Sequence, residues 1–264
     1  MWEWLRDIYT EPLFWWFPVA GSVIGVVSFL LFAVPFTLLA WKQPAWAEPY
    51  RIQARKTGRR SVVGPAFWHV ARNNAIMAVV TLAAWPMLRL SNVHIGPLPA
   101  WWVIVLQLLF FLVLDDFLFY WMHRTLHESK WLFKKVHSTH HRIMTPWAIT
   151  GHYTHPVEYV LTGTVMLIGP LLVGAHVVTL YIWISIRQWE AAEGHSGYDF
   201  PWSPTHLIPF SDGPTHHDFH HAKVKGNYAG FFPWTDAIFG TLSAGYPEHL
   251  ASRRRSRKRD TQPL

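Results

Sequence analysis

Cysteine is absent from all 264 residues, which excludes disulfides, thiolate metal sites and cysteine nucleophiles. Charge is scarce as well: Asp, Glu, Lys and Arg make up 15% of the chain, below the quarter usual in soluble proteins. A cleavable leader is not expected, because the first apolar run is too long and carries no small-residue cleavage site. No internal repeat is evident. What fills the chain instead is apolar: 51% of residues are hydrophobic, with 17 Trp and 17 Phe. Long uncharged runs concentrate them, so the sequence predicts an all-α integral membrane protein. The formal charge of +7 is unevenly placed, in YRIQARKTGRR at 50–60 and RRRSRKR at 253–259. In so apolar a chain these blocks speak for positive-inside orientation and contact with anionic headgroups rather than for nucleic acid.

A membrane helix needs about 20 apolar residues to cross about 30 Å of hydrocarbon. Leu13 to Trp41 carries no charge and reads as span one, with Pro18 and Pro35 bending it or marking its ends. Asn73 to Leu88, bounded by Arg72 and Arg89, reads as a shorter span two. Ile95 to Leu114 reads as span three, opening with GPLP and Trp101-Trp102 and continuing as one helix through DDFLFYWMHRTLH into water. Tyr159 to Ile186 lacks Asp, Glu, Lys and Arg. One crossing there, about 42 Å long at 1.5 Å per residue, would separate the later histidines from the earlier ones. GPLLVG at 169–174 breaks the run, so a re-entrant helical hairpin over 159–186 is expected. The expected architecture is three to four transmembrane helices plus that hairpin, under a cytosolic helical His-rich cap. Residues 1–120 would hold the N-terminal spans and a basic cytosolic loop at 42–72. Residues 121–246 would form the catalytic region, and 247–264 a disordered basic tail.

The histidines give this frame a chemistry. HRTLH places His123 and His127 at i and i+4; HSTHH places His137, His140 and His141 at i, i+3 and i+4; HHDFHH repeats that spacing with His217, His220 and His221. On a helix such residues share a face. With His195 they make nine, enough nitrogen donors for two ions, and neutral imidazole is the commonest metal ligand. His69, His94, His176, His206 and His249 stand isolated and read as structural; His152, His155 and His216 fall between. Imidazole accepts both Fe and Zn, so the spacing leaves the metal open.

At these clusters the chain resembles the membrane-bound fatty acid hydroxylase superfamily, with its HxxxH, HxxHH and later HxxHH boxes. Within it, PYRIQ at 49–53, YTHPVEY at 153–159, IRQWEAAEGHSGYDFPWSP at 186–204 and the segment 208–241 look like the sterol C4-methyl oxidases. That resemblance implies a di-iron oxygenase that uses O2 and draws electrons from NAD(P)H through cytochrome b5 or an equivalent carrier. It implies stepwise oxidation of the C4 methyl group of a 4-methyl or 4,4-dimethyl sterol to the carboxylate, with decarboxylation left to a partner dehydrogenase. The same boxes occur in sterol C5-desaturases, sterol side-chain hydroxylases and other lipid hydroxylases. The resemblance carries metal ligation onto His123, His127, His137, His140, His141, His195, His217, His220 and His221. Some relatives have a tenth His where this chain has Asp199; Asp199, His155, His216 or water is the candidate there. Because ligating imidazoles usually donate their second N–H to a carboxylate or carbonyl, Asp116, Glu190, Glu193, Asp218 and Asp236 are the expected supporting acids. Arg124 and Lys134-Lys135 would dock an acidic carrier. The membrane would be endoplasmic reticulum in a eukaryote or plasma membrane in a bacterium, with the site on the cytosolic face.

Overall fold

A computed structural model describes residues 2–53 and 60–260; residues 54–59 of the first basic block lie outside them. The described residues are helical throughout, without strands. A short α1 (Trp2–Thr10) precedes α2 (Pro12–Phe14), a π-helical turn (Trp15–Val19) and α3 (Ala20–Lys42), which together run as one rod. The π turn sits at Pro18, whose missing N–H interrupts the ordinary ladder. Then come 3-10 turns at Ala45–Tyr50 and Arg60–Val62, α4 (Val63–Ala83), α5 (Trp85–Leu88), α6 (Trp101–Glu128) and α7 (Lys130–Lys135). Two 3-10 segments, His137–Arg142 and Ala148–His152, lead to α8 (Pro156–Val173) and α9 (Val177–Gly194). A 3-10 turn (Pro204–Leu207), α10 (Pro214–Lys223), α11 (Pro233–Ile238) and α12 (Tyr246–Asp260) complete the chain.

Three of these rods are long and apolar enough to cross a membrane: Pro12–Lys42, Trp101–Glu128 and Pro156–Val173. The first follows the uncharged run closely. The third expected span begins at Trp101, after the prolines of GPLP, and continues unbroken through DDFLFYWMHRTLH. The second expected span differs. Its helix starts ten residues before Asn73, at Val63, and stops at Ala83 ahead of Pro86. Arg72 lies inside it, because its guanidinium is satisfied by Asn73 Oδ1 and the Thr154 carbonyl at 3.1 and 3.2 Å.

Small residues decide the packing. Gly21, Gly25, Ser28, Ala33, Thr37 and Ala40 form the buried seam of α3, and α9 lies against it, with Ile184 Cδ1 within 3.7 Å of a side chain built at Gly21. Small seams let apolar helices approach closely. The run 159–186 folds back at Gly174, the last residue of GPLLVG, in the left-handed region at φ +60°; α8 before it is long and apolar enough to cross a membrane, so the reversal does not by itself make a re-entrant hairpin. Gly169 stays helical because its bare face receives the Phe111 ring. The turn docks on the chain before α6: His94 N donates to the Ala175 carbonyl at 3.2 Å, and Val177 N to the His94 carbonyl at 3.0 Å. The reversal brings the N-terminal end of α8, the C-terminal end of α9 and the C-terminal end of α6 to the other end of the bundle.

The disordered tail expected after residue 247 is instead a helix over the described residues to Asp260. Tyr246 starts it by donating to Asp212 Oδ2 at 2.7 Å. Arg253 then reaches the carbonyls of Tyr50 and Arg51, tying the basic tail to the start of the basic loop.

Candidate metal centre

The nine histidines marked by spacing converge in two groups. His123, His127, His137, His141 and His220 bring ring nitrogens within 4.8 Å of one another; His140, His195, His217 and His221 do the same. In the first group, neighbouring Nε2 atoms lie 2.7 Å (His127 and His137), 3.0 Å (His137 and His141), 3.1 Å (His141 and His220) and 3.2 Å (His123 and His137) apart. In the second, His195 Nε2 stands 3.2 Å from His140, 3.0 Å from His217 and 3.1 Å from His221.

The boxes do not each serve one group, as a shared face would suggest. His137 and His141 join the first group while His140 turns to the second; His217 and His221 join the second while His220 turns to the first. In α10, helical geometry explains the division. Successive residues diverge by about 100° around a helix, so an i, i+4 pair stays together and the residue between them aims aside. His137–Arg142 is 3-10 rather than α, where i and i+3 would eclipse; there His137 meets His141 at 3.0 Å through the orientation of the individual rings, not through regular spacing. Each HxxHH box therefore ties both groups into one unit, while His123 and His127 both serve the first.

Protons show what the arrangement requires. His123 Nδ1 donates to the Tyr228 carbonyl at 2.7 Å, His195 Nδ1 to Ala191 at 2.7 Å, His220 Nδ1 to Gly226 at 2.7 Å and His221 Nδ1 to Ile143 at 3.2 Å. His137 Nδ1 donates to Glu158 Oε1 at 2.9 Å. A neutral imidazole has one N–H, so each of these Nε2 atoms is a bare lone pair. His195 Nε2 then faces His221 Nε2, and His123 Nε2 faces His137 Nε2, with no proton between them. Protonation is opposed: burial first, then repulsion between the rings, pushes His137, His140, His217 and His221 well below the ordinary histidine range, and burial holds His195 near 4. Each buried acceptor without a donor costs about 1–3 kcal/mol. A cation between the lone pairs removes that cost, and separations near 3 Å suit neighbouring donors on an ion ligated at about 2.1 Å. The residues fit two metal ions.

The supporting atoms are mostly not the acids expected. Glu158, the carboxylate just before the uncharged run, is the one side chain among the described residues that accepts from a ligand-group imidazole; its position at the mouth of an apolar helix was the available signal. The other acceptors are backbone carbonyls, which sequence does not mark. Asp116 and Asp236 act one step further out. Asp236 accepts from Tyr228 N and Ala229 N at 2.8 and 2.9 Å, and Asp116 from Gly230 N, Phe231 N and Phe232 N at 3.1, 2.6 and 3.2 Å. Five consecutive amides are thus gripped by two buried carboxylates, which fixes the carbonyl that orients His123. Gly226 delivers the next carbonyl from a left-handed turn at φ +79°, where a Cβ would meet the Thr241 carbonyl at 2.6 Å. Gly151 leaves room for the third: a Cβ there would lie 2.8 Å from the Ala191 carbonyl and 3.2 Å from His195 Nδ1.

The remaining expected acids are engaged elsewhere. Glu190 pairs with Arg187 at 2.7 Å, Glu193 accepts from Trp189 Nε1 at 3.1 Å and from Ser203, and Asp218 accepts from Gln53 Nε2 at 2.9 Å. The tenth-ligand candidates also stand outside both groups. His155 caps α8 by accepting from Val157 N at 3.2 Å. Asp199 is held by His206 at 2.7 Å and Thr215 at 2.6 Å. His216 Nε2 lies 3.3 Å from Asp236 Oδ2.

A cavity leads to the imidazoles. Phe17, Gly21, Gly25, Met77, Phe119, Met122, Met166 and Ile184 form much of its wall, and His123, His137, His140, His195 and His217 close its end. Arg187 lies in the wall but is consumed there: it pairs with Asp115 at 3.1 Å and Glu190, and its guanidinium stacks over Phe119 and Phe231. Gln188 Oε1, also in the wall, is buried without a hydrogen-bond partner.

Comparison with known proteins agrees with this geometry. Residues 108–241, which hold all nine histidines, match the family model described as fatty acid hydroxylase. The very-long-chain aldehyde decarbonylase GL1-11 of Oryza sativa subsp. indica is 39% identical over 91% of this chain and 90% of its own length. Methylsterol monooxygenase 2-2 of Arabidopsis thaliana is 37% identical over 81% of this chain and 80% of its own length. Methylsterol monooxygenase 2-1 of the same plant is 35% identical over 84% and 87%. No solved structure matches the chain. A buried double cluster of imidazoles, carried on membrane-type helices and lying wholly within the matched segment, places this chain in the fatty acid hydroxylase family.

Proposed function

We propose that the chain is a di-iron membrane oxygenase that oxidises the C4 methyl group of 4-methyl or 4,4-dimethyl sterols stepwise to the carboxylate. The observation that carries the reading is the apolar cavity ending on five of the nine imidazoles. Two irons held by the groups of five and four histidines would supply the oxygen chemistry that an unactivated C–H bond needs and side chains lack. Each step would consume one O2 and two electrons, inserting one oxygen atom and releasing the other as water.

The chain's own part is positional. Glu158 and the carbonyls of Tyr228, Gly226, Ala191 and Ile143 hold His137, His123, His220, His195 and His221 in one tautomer with their lone pairs inward. The apolar wall keeps water from the reacting carbon and favours a lipid over a polar substrate. Gln188 Oε1 offers one acceptor in that wall, suited to a lipid with a single hydroxyl, as a sterol has beside C4. The relatives named as methylsterol monooxygenases support the sterol. The exposed Lys134 and Lys135, between two His boxes, suit an acidic electron carrier such as cytochrome b5. Arg124 suits it less, being engaged by Glu128 at 2.8 Å and Tyr120 at 3.0 Å. The described start of the basic loop and α12, both at the imidazole end, support a cytosolic active site, with the carboxylate product passed to a decarboxylating dehydrogenase.

The aldehyde decarbonylase relatives favour a second reading, the same centre acting on a very-long-chain aldehyde. Iron-loaded protein in vesicles with O2 and a reductant should convert 4,4-dimethyl sterol to C4 hydroxymethyl and carboxyl products, read by mass spectrometry. Untouched C4 methyls beside consumption of a very-long-chain aldehyde would move the assignment to the second reading. A new ring double bond would make it a sterol C5-desaturase, and a side-chain alcohol a sterol side-chain hydroxylase.

A further inference from the structure

A second cleft lies between α3 and α4. Val23, Val26, Val27 and Leu30 form one wall, and Phe67, Val70, Ala71 and Ala75 the other. Its inner end is made by Ser22, Asn74 and Ala78, and these three residues also line the cavity that ends on the imidazoles. The cleft and the cavity are therefore neighbours across one ring of side chains. The outer side chains are apolar and open to the surroundings: Val23 is 56%, Val27 57% and Phe67 49% exposed. α3 belongs to a rod long and apolar enough to span a membrane. An opening on such a surface faces acyl chains rather than water.

We propose that this cleft is the lateral entrance through which the lipid substrate passes from the bilayer to the metal centre, with Ser22, Asn74 and Ala78 as its throat. The inference rests on the proposed function only in taking the substrate to be a lipid. Three features give it a mechanism. Ala71, Ala75 and Ala78 recur at i, i+4 and i+7, so α4 presents a trough rather than a ridge. Asn74 is held in the throat by Tyr159, whose hydroxyl donates to Asn74 Oδ1 at 2.9 Å; this joins α4 to α8 and gives the throat one polar latch. Met77 and Met166, which both line the inner cavity, have the flexible side chains that yield to an incoming rigid body.

The absence of cysteine makes the test clean. In the full chain, loaded with iron and placed in vesicles, Ala75→Cys is compared with Val79→Cys, an exposed α4 position that lines neither space. Each is measured before and after modification with a bulky aromatic methanethiosulfonate. The first readout is oxidation of vesicle-borne 4,4-dimethyl sterol. The second, which needs no turnover, is capture of a diazirine sterol by cavity peptides. Modification of Ala75→Cys should lower both at least tenfold, with recovery on thiol reduction. Modification of Val79→Cys should leave both within twofold. Complete modification of Ala75→Cys with both readouts unchanged would overturn the entrance. If the diazirine sterol is captured but 4,4-dimethyl sterol is never oxidised, the substrate reading fails while the capture ratio still decides the entrance.

Discussion

Histidines meet at both ends of this helical bundle, and only one end suits a metal. At the hairpin turn the His94 and His176 rings lie 5.2 Å apart. There, His176 Nδ1 accepts from Val178 N at 3.1 Å and Nε2 donates to the Gly96 carbonyl at 3.0 Å. His94 Nδ1 accepts from Gly96 N at 3.2 Å. These rings spend their nitrogens on nearby backbone, as caps and turn braces. At the opposite end the outer nitrogens of His123, His137, His195, His220 and His221 are spent on Glu158 and backbone carbonyls, and their inner ones are left facing each other. What separates a binding site from a structural pair is therefore the residue of unspent lone pairs, not the local density of imidazole.

The sharpest way to break this comparison is to remove one ring from each end. His220→Ala takes a donor from the group of five and His140→Ala from the group of four, and both groups draw on the two HxxHH boxes. Each variant should lose at least one equivalent of bound iron and more than 100-fold in turnover. His176→Ala should keep its iron and lose about 1 kcal/mol of stability, the scale of a lost helix cap. Iron analysis beside thermal unfolding checks all three. Iron lost from His176→Ala, or retained in full by both others, would remove the distinction.

Below the ligands come the atoms that spend the outer nitrogens. Gly226→Ala forces a side chain onto the Thr241 carbonyl in a left-handed turn and shifts the acceptor of His220. Glu158→Gln replaces the carboxylate that accepts from His137. Supporting partners of this kind are worth about 10–100-fold in metal affinity, so chelator competition should show losses in that range, Gly226→Ala toward the upper end. Glu128→Gln, at an exposed acid on the same end of the molecule, should leave affinity unchanged. Equal affinity in Glu158→Gln and Glu128→Gln would show that the His137 contact does not tune the centre.

The layers differ in how far sequence reveals them. The convergence of the rings was legible in α6 and α10 because an α-helix converts i, i+4 spacing into proximity, which also turns His220 aside from His217 and His221; the 3-10 turn at His137–Arg142 lies outside that rule. The first and third spans were legible from uncharged runs; the expected second span is not among the three described helices long and apolar enough to cross, whereas Pro156–Val173, expected as half of a re-entrant hairpin, is. Arg72 hid the start of α4 because its partners, Asn73 and Thr154, satisfy a cation inside a helix. The carbonyls of Tyr228, Gly226, Ala191 and Ile143 carry no side-chain signature. Asp116 and Asp236 were recognisable as buried acids, but their use depends on five amides that only the folded loop presents together. The tail misled for a related reason. Composition reported its charge, while its order comes from Arg253 meeting two carbonyls about two hundred positions earlier.

That tail supplies a third kind of histidine and the smallest expected effect. His249 packs on Phe219 of α10, with ring centroids 5.0 Å apart. Burial, followed by the nearby charges of Arg253 and Lys223, lowers its proton affinity from the ordinary value. The undocked chain therefore takes up the proton first as pH falls. The docking of α12 is at full strength above about pH 6.5, the ordinary histidine value, and weakens as pH falls through the lowered value of the docked state. Protection of α12 amides against hydrogen exchange, corrected for the intrinsic rate, should drop a few-fold between pH 7.5 and 5.5, and His249→Leu should flatten the profile. His94 and His176 sit at the other end of the bundle, so His176→Ala should leave the α12 profile as it is. A profile that persists in His249→Leu would place the acid sensitivity in the buried imidazoles beneath α10, and would make the tail a reporter of the metal centre.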